Sequence, residues 1–98
     1  MVRLLIHAPT EAALNRAHRN LANLLVTDPQ AEVELVVNGD AVRAALEKPV
    51  PASMPYLVLC ENSLTRAGLG KPEGTRTTPA AIVHVAQRQT QGWSYFRS

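Results

Sequence analysis

The chain has a single soft nucleophile, the thiol of its one cysteine, Cys60. The run Tyr56–Cys60 reads as a buried strand and Glu61–Ala67 as a brief helix, so the thiol falls where a strand gives way to a helix. A sulfur there feels the positive end of the helix dipole and can accept from unpaired backbone N–H groups, and both effects favour the thiolate. A thiolate can attack a persulfide, carry the transferred sulfur atom and yield it to a second thiol. The competing interpretation is a small core hydrophobe at the end of a buried strand, the usual place of a free cysteine.

Few other residues are placed to join such chemistry. Asn62 and Ser63 can bond the sulfur or merely cap the helix that follows it. Arg66 can attract an anionic sulfur donor or face solvent. His7 closes the first strand, where an imidazole can stabilise a thiolate, move a proton near neutral pH, or be satisfied by backbone groups. Asn38 closes the second strand. His84, among Ile82, Val83 and Val85, suits a helix face or an interface, and His18 and Arg19 a solvated helix face. One cysteine with three scattered histidines offers no zinc-ligand spacing, so neither metal nor cofactor is expected. Gly68, Gly70 and Gly74 follow a helix and do not link a strand to one, which argues against a phosphate loop.

The elements that must position these groups are legible in the patterning. Val2–Ile6 is aliphatic without alternation, as in a strand covered on both faces. Thr10 can cap a helix carrying Leu14, Ala17, Leu21, Leu24 and Leu25, which ends near Asp28-Pro29. Glu32–Val37 is a second strand, and Asp40 a candidate cap for Ala41–Glu47. Pro49, Pro51 and Pro55 mark a loop before the third strand. Gly68 suits a left-handed helix stop with Leu69 as its apolar contact. A short fourth strand is possible at Thr75–Thr77, Thr78-Pro79 reads as a helix start running to Gln91, and Trp93–Arg97 closes the chain as a strand. Its Trp93, Tyr95 and Phe96 suit packing on an edge strand or a subunit interface.

Alternating strands and helices over 98 residues predict a single α/β domain spanning 1–98. The expected architecture is a three-layer sandwich with a mostly parallel sheet of about five strands flanked by helices, in flavodoxin-like strand order. Sites in such sheets gather at the carboxyl ends of strands. With strands one and three adjacent, His7 and Cys60 face one crevice.

Composition excludes several classes. The formal charge of +2 comes from ten cations against eight anions, and the cations are dispersed from Arg3 to Arg97, so no nucleic-acid footprint is expected. No apolar run approaches the roughly 18 residues of a membrane span. The first residues lack the pattern of a secretory signal, and an unpaired cysteine fits a reducing compartment, so a cytoplasmic setting is expected.

The segment Cys60-Glu61-Asn62-Ser63-Leu64-Thr65-Arg66-Ala67-Gly68-Leu69 resembles the one that follows the third strand in DsrE/DsrF/TusD-like proteins, the YchN-like fold. In that family a basic residue follows the cysteine by six positions, with glycine and an apolar residue at eight and nine, as Arg66, Gly68 and Leu69 do here. Gln89-Thr90-Gln91-Gly92-Trp93-Ser94-Tyr95 is similar to the helix, glycine and aromatic strand that close many small members. The resemblance implies a sulfur-relay protein holding a persulfide on Cys60, assembled as a homotrimer or hexamer with the cysteine near a subunit boundary. Lacking a second cysteine, this chain would need separate sulfur donor and acceptor proteins. The alternative is a non-catalytic oligomeric module that binds a small ligand or partner protein in the carboxyl-end crevice, lined by His7 and Asn38.

Overall fold

Five strands form one parallel sheet in the computed structural model, which describes residues 1–98. Strand β1 (Arg3–Ala8) leads into helix α1 (Glu11–Thr27), β2 (Glu32–Val37) into α2 (Ala41–Glu47), and β3 (Leu57–Cys60) into α3 (Glu61–Arg66). Strand β4 (Arg76–Thr78), helix α4 (Ala81–Thr90) and β5 (Ser94–Arg97) complete the chain. Layers of helices lie on both faces of the sheet, giving the expected three-layer α/β sandwich. The proline-rich loop before β3 contains a 3-10 turn over Pro51–Tyr56.

The strand order is β4-β3-β2-β1-β5, which corrects the flavodoxin-like order. β2 therefore lies between β1 and β3, and His7 and Cys60 are not on adjacent strands. Burial explains this arrangement. Five of the six β2 residues, Val33 to Val37, are buried, which suits only a central strand. Arg76-Thr77-Thr78 and Ser94–Arg97 are short and polar or exposed, and tolerate the edges.

Right-handed crossovers dictate the layers. The first three connections step along the sheet in one direction and place α1, α2 and α3 on one face, where Ile6, Leu14, Leu21, Leu35, Val42, Leu59 and Leu64 form the main core. The return from β4 to β5 runs back across the sheet, so α4 must cover the opposite face. It does so alone, over a smaller cluster of Leu5, Val36, Cys60 and Ala81.

Most helix ends follow the sequence. Thr10 Oγ1 accepts from Ala13 N–H at 3.1 Å and caps α1. Gly68 adopts φ 72°, and the bonds from Leu69 N–H to Leu64 O and from Gly68 N–H to Thr65 O close α3 as a Schellman turn, with Leu69 packed on the core. Two caps differ from expectation. Asp40 makes no side-chain cap bond. Thr78 belongs to β4, paired with Cys60, so the cap of α4 is Ala80, which has no side chain able to accept.

Candidate functional site

The uncapped start of α4 is where Cys60 acquires its surroundings. Cys60 ends β3, caps α3 in extended conformation and is 5% exposed. Because β4 ends level with it, the first turn of α4 passes over its side chain, and Ala81 N–H donates to Sγ at 3.4 Å. The sulfur thus takes the place of the missing side-chain cap. Burial pushes the Cys60 thiol up, but the Ser63 hydroxyl and the backbone N–H groups of Ser63, Ala81 and Asn62 together hold it below its ordinary value. Ser63 is itself fixed, since its Oγ accepts from Gly39 N–H at 2.8 Å. Gly39 has φ 58° and lies so close to Pro9 that a Cβ there would sit 2.7 Å from the Pro9 carbonyl oxygen.

His7 and Asn38 form a second group on the same face of the sheet. Asn38 Oδ1 lies 2.8 Å from His7 Nε2, and Tyr95 Oη lies 2.6 Å from His7 Nδ1. The asparagine oxygen can only accept, so Nε2 donates to it, and in the tautomer with its one proton on Nε2 the Nδ1 atom accepts from the tyrosine hydroxyl. This chain of hydrogen bonds floors a crevice of about 320 Å³, walled by Ala81, Ile82, Val85 and Gln89 of α4. It opens at the carboxyl ends of β1 and β2, the end of the sheet at which open α/β folds bind ligands.

The six residues singled out from sequence therefore divide three ways. Cys60, Asn62 and Ser63 come together, with Asn62 acting through its backbone. His7 and Asn38 join Tyr95 in the crevice, whose wall reaches Cys60 only through Ala81. Arg66 stands apart, exposed along a different groove with Asp40, Arg43 and Glu47.

Sequence reasoning missed three participants. Tyr95 was legible only as packing, because its partnership with His7 requires β5 beside β1, an adjacency absent from flavodoxin-like order. The role of Ala81 is a backbone one and leaves no side-chain signal. Glu34 is the third. It is a buried carboxylate beneath α4 that takes Arg88 Nε and Nη2 at 2.9 and 3.0 Å, His84 Nε2 at 2.8 Å and Arg76 Nη1 at 3.0 Å. Its signal was an acid inside a strand otherwise buried on both faces, which demands cations from elsewhere. His84 is thus an inward partner of Glu34, and Arg88 also lies over the Trp93 ring, 5.0 Å from its centroid. His18 departs from the solvated face expected for it: it bonds the buried Ser53 hydroxyl at 2.7 Å, and burial lowers its pKa.

No protein-family model matches the chain, and no curated protein matches it. Among solved structures it is similar to MTH1491, a protein of unknown function from Methanobacterium thermoautotrophicum. The match has a TM-score of 0.85 at 21% identity and covers 100% of both chains, a likeness of fold. No helix is long and apolar enough to cross a membrane.

Proposed function

We propose that the protein is a sulfur carrier that holds a persulfide on Cys60, in keeping with the DsrE-like resemblance of the Cys60–Leu69 segment. The observation that carries this reading is the Ala81 N–H donated to the Cys60 sulfur at the start of α4, at a thiol whose pKa is lowered despite burial. In the loading step the Cys60 thiolate attacks the outer sulfur of a donor persulfide R–S–SH. The new S–S bond forms on Cys60, the donor's S–S bond breaks, and R–S⁻ leaves, so the exchange is redox-neutral. An acceptor thiolate then takes the sulfane sulfur by the same displacement and returns Cys60 as the thiolate. Access to the sulfur requires the first turn of α4, where Ala80 supplies no side-chain cap, to swing outward.

Incubation with glutathione persulfide should add one sulfur mass to Cys60, read by mass spectrometry, and Cys60→Ser should abolish it. No labelling, together with slow alkylation of the native thiol, would sink the proposal.

Assembly belongs to the same reading. Ile82 is 81% exposed and Val83 51%, on the helix that shields Cys60. If α4 faces a second copy in a trimer or hexamer, Val83→Lys, on the same helix but outside the crevice, shifts the sedimentation profile toward monomer. An unchanged profile counts against that interface.

The crevice favours a second reading, a non-catalytic module that binds a small ligand. Its volume of about 320 Å³ and its hydrogen-bonded floor at the carboxyl ends of the strands support this.

A further inference from the structure

The order of protons along Tyr95, His7 and Asn38 restricts what the crevice can accept. Asn38 Oδ1 accepts from Nε2, and in the tautomer with its one proton there Nδ1 accepts from the Tyr95 hydroxyl. The tyrosine hydroxyl has then spent its only donor on the protein and presents lone pairs alone. Its residue is 41% exposed and lines the crevice, so those lone pairs are available from within it. Opposite stand Ala81, Ile82 and Val85, which are apolar, and Gln89 at the exposed side.

The geometry points to a ligand that is small and uncharged, with an apolar body of one or two rings and one N–H or O–H donor. The body lies along Ile82 and Val85, and the donor meets Tyr95 Oη. Size follows from a volume at the lower end of ligand pockets. Neutrality follows from a lining with no Asp, Glu, Lys or Arg to balance an ionic group. The need for a donor follows from the tyrosine, because an isostere lacking one leaves the hydroxyl unmatched when water is expelled. This inference rests on the crevice being a ligand site and is independent of Cys60 chemistry.

Indole and benzofuran share size and shape but differ in N–H against O, and they separate the two claims. Titrating each into the isotopically labelled protein should give saturable amide shifts at Ala81, Ile82 and Tyr95 for both. Indole should bind about five- to tenfold more tightly, the worth of one hydrogen bond. Tyr95→Phe should reduce that ratio to near one. Equal affinities in the native protein would overturn the donor requirement while leaving a ligand site standing. Saturable shifts with neither probe would overturn both.

Discussion

The Cys60 sulfur accepts from Ala81 N–H at the start of α4, and the Ser63 hydroxyl also lowers the thiol's pKa, so its ionisation can be perturbed one donor at a time. The thiolate is preferred in the folded chain, so thiolate absorbance should rise at a pH below the ordinary value of 9.0, and the accompanying stability is gained as pH climbs from the folded pKa to that value. Ser63→Ala removes the hydroxyl donor and should move the titration upward, with a loss of roughly 1 kcal/mol from the Gly39 bond. Ultraviolet absorbance is the suitable measure because it needs no access to the buried sulfur. No movement on Ser63→Ala would mean that the hydroxyl does not bond the sulfur. The strand-to-helix placement of Cys60 was legible because the apolar run Tyr56–Cys60 stops at a polar segment. The arrival of Ala81 N–H was not, because a backbone donor from 21 residues away carries no sequence signature.

At the scale of elements, α4 contrasts with α1. Thr10 caps α1 through its side chain, whereas the residue at the equivalent place before α4 is Ala80, in extended conformation at φ −146° and ψ 124°. Extended backbone is what a capping serine requires, so Ala80→Ser should stabilise the fold by about 1 kcal/mol, read as a raised thermal midpoint. The new oxygen would accept from the second or third amide of α4, leaving Ala81 N–H with Cys60, so the thiol titration should stay in place. A shift of that titration together with the midpoint would mean that serine competes with the sulfur for the same N–H. The helix itself was visible in the spacing of Ile82, Val83, Val85 and Ala86. Its start was misplaced at Thr78-Pro79 because a threonine before proline reads equally as the last residue of a strand, and pairing with Cys60 settles it for β4.

Across the whole molecule the two faces of the sheet are held by different forces. Three helices and an aliphatic core cover one face, which the periodicity of Leu14, Leu21, Val42 and Leu64 made legible. The other face has one helix, a four-residue cluster and the Glu34 ion network, which depends on strand order and so could not be read before the topology was known. Burial raises the Glu34 pKa, yet hydrogen bonds and charge from Arg88 and His84 bring it below the ordinary 4.5. A depressed carboxyl contributes stability that is complete above the unfolded value and is lost as pH falls through the folded one. Chemical denaturation should therefore show the fold weakening below about pH 4.5, over the range set by this shift. Glu34→Gln should cost about 2 kcal/mol at neutral pH, less than a fully enclosed pair because Arg76 and Arg88 keep partial access to water. That deficit should narrow steadily as the native protein is acidified, since both chains then approach an uncharged residue 34. A deficit independent of pH would show that α4 is held by packing of Ala81 and Val85 and not by the carboxylate beneath it.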